Sequence, residues 1–188
     1  MTARELLERY VEAKDSTRPE RMADIYRPDA VLTYSIATNE ISFPSEVRGV
    51  EAITRTLVSD FGTRFQRCRT YYVCDAPPDQ DGEIAVLPWL VVMRQIDTAA
   101  LRLGKGYYRW HFQGNEDGAL QVDAMHIFIA RMAVVPDASG NLLDALQRHL
   151  PYPWLKPHEL AIDIDRLLGR SSSFDFLYPF REPVAVSD

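Results

Sequence analysis

Cysteine is scarce in this chain of 188 residues: there are two, Cys68 and Cys74, six positions apart in a strand-like run. An extended run of that length holds their Cα atoms about 20 Å apart. A disulfide allows only ~4.4 to 6.8 Å, so two free thiols in a reducing cytoplasm are expected. No neighbouring histidine joins them, and no pair of the four histidines has metal-ligand spacing, so no metal is expected. Basic clusters are missing as well. With 21 Lys and Arg against 27 Asp and Glu, and a net charge of −6, a nucleic-acid partner is not expected. Long apolar runs are also lacking. The most apolar window, residues 84–93, is interrupted by Pro88 and falls well short of the ~20 residues that cross a bilayer. The segment after Met1 is charged, with no apolar core of a secretory leader, which points to a cytoplasmic protein without a membrane partner. Gly104-Lys105-Gly106 is too short to cradle a phosphate, and Ser171-Ser172-Ser173 lacks the glycine context of a hydrolase nucleophile.

What is present is a globular composition, 46% apolar and 26% charged, enough for one domain with a small appendage. Thr2 and Glu5 make a capping box, and Leu6, Leu7, Tyr10 and Val11 follow a helical period, so a first helix is predicted from Ala3 to Lys14. A second box, Thr17 with Glu20 and Pro19, opens a short helix with Met22, Ile25 and Tyr26 on its apolar face, ended by Pro28. Val50, Ile53, Leu57 and Phe61 mark a third helix, stopped by Gly62.

Four β-rich runs follow, at 68–74, 83–96, 106–113 and 120–135, separated by 76–82, 97–105 and 114–118 as antiparallel returns. Helices first and then a meander make an α+β plan, with the helices on one face of a curved sheet. After Val135 the composition changes. Six of the twelve prolines fall in residues 136–188, around two helical candidates, Leu142 to Leu150 and Pro157 to Leu168, and the aromatic run 174–180 should lie against a surface. The expected division is 1–135 and a C-terminal extension, 136–188.

Three strings carry a family resemblance: 7–13 (Leu-Glu-Arg-Tyr-Val-Glu-Ala), 25–31 (Ile-Tyr-Arg-Pro-Asp-Ala-Val) and 48–53 (Arg-Gly-Val-Glu-Ala-Ile). With the long final hairpin turning at Asp117-Gly118, they resemble the nuclear transport factor 2-like (SnoaL-like) superfamily, which includes ketosteroid isomerase and scytalone dehydratase. The resemblance covers about Ala3 to Val135. It implies a cone of three N-terminal helices on a strongly curved, mainly antiparallel sheet around a deep pocket, and pairing of two copies through the outer face of the sheet. Carried onto ketosteroid isomerase, it puts Tyr10 at a hydrogen-bond-donor tyrosine, Tyr34 where the proton-abstracting Asp stands, and Tyr108 at the protonated Asp of the oxyanion hole, a case familiar from pKa tuning. A phenol with an ordinary pKa near ~10 is a poor base, which argues against carboxylate-type steroid isomerisation.

Strand alternation then selects the pocket side chains. With Tyr108 inward, Trp110 and Phe112 follow. On the last strand Ala124, His126 and Phe128 are expected inward, and a Phe112–Val122 pairing sets Tyr108 opposite His126. His126 is thus the expected general acid or base, with Tyr10, Tyr34 and Tyr108 donating to an oxyanion. Trp110, Phe112, Phe128, Trp89 and Tyr26 are the expected ligand contacts or, equally in keeping with their chemistry, core packing. The expected function is that of a cofactor-free lyase or isomerase acting on an apolar, oxygen-bearing ring compound. The alternatives are a non-catalytic binding or dimerisation module and an assembly subunit like the small chain of ring-hydroxylating dioxygenases.

Overall fold

In the computed structural model, which describes residues 1–78, 83–114 and 118–186, helices pack against both faces of one seven-stranded mixed sheet. The predicted capping box forms. Thr2 Oγ1 accepts from the Glu5 amide at 3.2 Å, the Glu5 carboxylate accepts from the Thr2 amide at 2.9 Å, and α1 runs Ala3–Asp15. The Thr17 box does not form. Thr17 sits in the left-handed region, with φ 53°, so the chain enters through a 3-10 turn, Pro19–Arg21, before the short α2, Met22–Ile25. Tyr26 already belongs to β1, Tyr26–Ile36, so Pro28 lies inside an irregular stretch of strand and does not end the helix.

After β2, Glu46–Arg48, a continuous helical segment comprises α3, Val50–Thr54, a π-helical turn, Arg55–Ser59, and α4, Asp60–Arg64. Gly62 is within this segment and does not stop it. A Cβ there would fall 2.7 Å from Thr17 Cγ2, so the glycine serves the close approach of the preceding turn.

The other strands are β3 (Phe65–Val73), β4 (Ile84–Gln95), β5 (Leu101–Gly114), β6 (Leu120–Val135) and β7 (Trp154–Leu155). The spatial order is β2-β1-β6-β5-β4-β3-β7, antiparallel except for β1 with β6 and β3 with β7. The tips of the β3–β4 and β5–β6 connections, including the expected turn at Asp117, lie outside the described residues. Pro88 is tolerated within β4 because the pairing of β3 with β4 ends at Tyr72–Trp89, leaving β4 a local edge there.

The register of β6 departs from expectation in an instructive way. Phe112 does pair with Val122, but the next pair is His111 with Ala124, so Asp123 is an extra residue. Every position beyond it changes face. Tyr108 lies opposite Ile127, and Arg109 opposite His126. A second bulge at Ala130 reverses the parity again. Met125, Ile127, Ile129 and Met132 therefore join the inner core, while Ala124, His126 and Phe128 face outward.

The C-terminal residues form α5 (Asn141–Gln147), α6 (Pro157–Leu168) and a 3-10 segment (Ser172–Phe180). They cover the outer face of the sheet: Leu143, Leu146, Leu160, Ile164, Leu167, Phe174, Leu177 and Phe180 pack with Tyr71, Val73, Leu90, Val92, Leu101 and Leu103. The aromatic run does lie against a surface, and that surface is the chain's own sheet.

Candidate functional site

On the inner face, α1, β1, the helical segment 50–64, β4, β5 and β6 together line an apolar cup. The space between its lining atoms, open rim included, is about 440 Å³, of which about 40 Å³ admits the centre of a water molecule. At ~10–15 Å³ per water, that is room for a few waters. Residues 37–45 narrow it by directing Ile41 and Phe43 into the lining, and Phe43 stacks on Tyr34 at 4.7 Å with an interplanar angle of 3°.

Tyr10, Tyr34 and Tyr108, expected to share a pocket, all line the cup, and so does Trp89. Tyr10 is held by the buried stripe of α1 and makes edge contacts to Tyr108 at 6.0 Å and Trp110 at 4.8 Å. Tyr34 reaches it from β1 and Tyr108 from β5. Trp89 stacks on Tyr108 at 5.5 Å and lies over Gly106, where a Cβ would fall 2.7 Å from its ring. The hydroxyls of Tyr10 and Tyr34 and the indole N–H of Trp89 are buried without a hydrogen-bond partner. Buried donors are rarely left so, and each calls for a partner such as an ordered water, an ion or a ligand, or for a functional role. Burial raises the pKa of all three phenols, so they remain protonated donors.

Trp110, Phe112 and Tyr26 do not line the cup. They belong to the inner core, Trp110 stacked on Phe112 at 6.3 Å, and the Tyr26 hydroxyl is spent on Met125 Sδ at 3.0 Å. His126 and Phe128 are on the opposite face, because the Asp123 bulge inverts their parity. His126 Nδ1 is 2.8 Å from Thr33 Oγ1, its ring lies 6.4 Å from that of Tyr107, and burial together with Arg109 lowers its pKa. The structure thus brings the tyrosines together and leaves the imidazole outside.

The residue that the sequence reading passed over is Lys14. It is 7% exposed, it lines the cup, and its ammonium lies 4.9 Å above the Phe61 ring. Nζ donates to Thr70 Oγ1 at 2.8 Å, Asp15 Oδ1 at 3.0 Å and Cys68 Sγ at 3.4 Å. Burial works against its charge, but Asp15 and the neighbouring groups outweigh it and hold the pKa above the usual lysine value. Burial conversely pushes the Cys68 thiol up to about 12, so it stays neutral. Asp15 also accepts from the Thr70 amide at 2.6 Å, the Thr70 hydroxyl at 2.9 Å and the Tyr152 hydroxyl of the C-terminal extension at 3.0 Å. A signal was available: Leu7, Tyr10 and Lys14 fall on one helical face. A lysine in a last turn, however, ordinarily reads as a complement to the helix dipole.

Among the described residues no group of three or more His, Cys, Asp or Glu side chains could hold a metal ion, and no helix is long and apolar enough to cross a membrane. Both cysteines are free.

No protein-family model matches the sequence, and no curated protein matches it. Solved structures do match. A nuclear transport factor 2-like superfamily protein from Salmonella enterica aligns with a TM-score of 0.53 at 17% identity, covering 72% of this chain and 89% of that one. Hexachlorocyclohexane dehydrochlorinase LinA-type3 from Novosphingobium barchaimii gives 0.52 at 11% identity, covering 69% and 85%. A scytalone dehydratase-like protein from Novosphingobium aromaticivorans gives 0.50 at 18% identity, covering 69% and 82%. The likeness to these structures gives the chain the nuclear transport factor 2-like fold.

Proposed function

We propose that the cup binds a compact, apolar ring compound through an acceptor oxygen, and that Tyr10, Tyr34 and Tyr108 donate to or surround that oxygen. The observation that carries this reading is the set of buried donors without partners, Tyr10 Oη, Tyr34 Oη and Trp89 Nε1, around a lining that is aliphatic and aromatic apart from Lys14. A ligand oxygen would satisfy donors whose burial otherwise costs free energy. Donors aimed at a carbonyl also stabilise the charge that develops on it, the electrophilic half of an isomerase or lyase reaction.

One observation favours binding without turnover. The lining contains no carboxylate or imidazole; Lys14 and the phenols hold their protons, so the cup supplies no base near neutrality. Pairing of two copies would have to use what the C-terminal extension leaves open of the outer face, around Tyr107, His126 and Phe128. The exposed large apolar side chains among the described residues, such as Ile84, Ile162 and Tyr178, belong to separate elements, which lends no support to an assembly subunit with a broad apolar face.

The test compares acetophenone with ethylbenzene, which differ in the carbonyl. Calorimetric titration should show acetophenone binding more tightly, and Tyr34→Phe should reduce that difference. Equal affinities would overturn the reading. Deuterium uptake at the acetophenone methyl group in heavy water, accelerated by the protein, distinguishes enolising catalysis from simple binding.

A further inference from the structure

Lys14 and Asp15 are consecutive in sequence, yet only the lysine of this buried ion pair borders the cup. The carboxylate is turned away and saturated from behind by the Thr70 amide, the Thr70 hydroxyl and the Tyr152 hydroxyl. The pair is therefore a fixed dipole whose lysine borders an apolar space, with the ammonium against the Phe61 ring of its lining, where water screens little and charge acts over a longer range than in solution. Of the three acceptors on the ammonium, the Cys68 sulfur at 3.4 Å is the weakest and the most easily exchanged for an oxygen.

The rest of the lining adds no opposing charge. Its other polar groups are three phenols and an indole N–H, and no carboxylate, amide or imidazole is among them. A cationic ligand would meet an ammonium and find no anion. An anionic oxygen would meet the ammonium and buried hydroxyls that lack partners.

We infer that the cup selects the anionic form of its ligand: a single-ring compound bearing an ionised oxygen, such as a phenolate or enolate, with Lys14 as the residue that sets the preference. This rests on the ring-compound reading above and makes it more specific. The rim segment 37–45 has no helix or strand of its own and places Ile41 and Phe43 against the cup, so a ring enters by displacing those two side chains. The Lys14–Asp15 pair is anchored on α1 and β3, outside that segment.

The experiment is an absorbance titration of 4-nitrophenol, whose neutral and ionised forms differ in colour, with 4-nitroanisole as the analogue that cannot ionise. The protein should bind the phenolate at least about tenfold more tightly than the phenol, lowering the apparent pKa of the bound probe by about one unit. Lys14→Met should remove that shift while 4-nitroanisole still binds. Because Lys14→Met leaves Asp15 buried and unpaired, the double variant Lys14→Met, Asp15→Asn removes both charges and should behave the same way. An unchanged or raised probe pKa on the wild-type protein, with 4-nitroanisole bound, overturns the anion preference and leaves the ring-compound reading standing. A lowered pKa that persists in the double variant overturns the role of Lys14. No binding of either probe overturns both readings.

Discussion

On the inner face of the sheet, Tyr10, Tyr34 and Trp89 each bury a polar atom without a partner around the cup, and Trp110 does so in the core beside it. On the outer face, beneath α5, α6 and the 3-10 segment, the buried side chains are mostly Leu, Ile, Val and Phe, and they meet the sheet directly. The outer cluster is closer to a core built for stability, mostly branched aliphatics filling space, although Tyr71 Oη and Asp163 Oδ2 are buried without partners on that side too. The inner cluster keeps large aromatics with polar tips, a choice that costs stability unless something else occupies the donors. One sheet thus carries its anchoring on one side and the proposed binding site on the other.

Alkaline pH should break this contrast most strongly. The buried groups Tyr10, Tyr26, Tyr34, Tyr72, Tyr108, Cys68 and Lys14 on the inner side have raised pKa values, against Tyr71 in the outer cluster. A raised folded-state pKa means stability that is complete below the ordinary value and lost as pH climbs above it. Those ordinary values are 9.0 for the thiol, 10.0 for the phenols and 10.5 for the lysine, so urea midpoints should be level up to about pH 8.5 and fall steeply beyond. A flat profile to pH 11 would contradict the buried, protonated inner face.

Next in size, Lys14→Met should cost about 3–5 kcal/mol, since it strands the Asp15 carboxylate in a nearly dry site. Leu160→Ala, beneath the extension, should cost about 2–5 kcal/mol in the same urea measurement, with no change in acetophenone affinity. Tyr34→Phe should do the reverse. Removing an unpartnered hydroxyl should leave stability within about 0.5 kcal/mol while weakening acetophenone. His126→Ala loses a partly exposed hydrogen bond to Thr33 worth about 1 kcal/mol and should leave binding in the cup untouched. A lost affinity there would mean that the outer face reaches the site.

Much of this was legible from sequence because local rules were obeyed. The Thr2–Glu5 box set α1, and the alternation of Tyr108, Trp110 and Phe112 set the inward face of β5. In β6 the same rule misled. Residues 122–129 offer apolar side chains at both parities, Val122 and Phe128 on one and Met125, Ile127 and Ile129 on the other, so alternation alone does not choose a face. The bulge at Asp123 decided it, and no turn signal marks such an insertion. Residues 37–45 carry no helical or strand period, and tertiary packing that no periodicity announces delivers Ile41 and Phe43 to the cup. Lys14 was hidden by its position, because charge at a helix end has an ordinary explanation on an exposed helix and a different one on a buried stripe.

A crystal structure of the protein with acetophenone is the most direct test of the inner face as a binding site. The account predicts the ring between Leu57, Met93 and Ile129, with its oxygen within hydrogen-bonding distance of the hydroxyl of Tyr10 or Tyr34. A bound ligand whose oxygen points away from both tyrosines, or a cup that stays closed at saturating acetophenone, would contradict it.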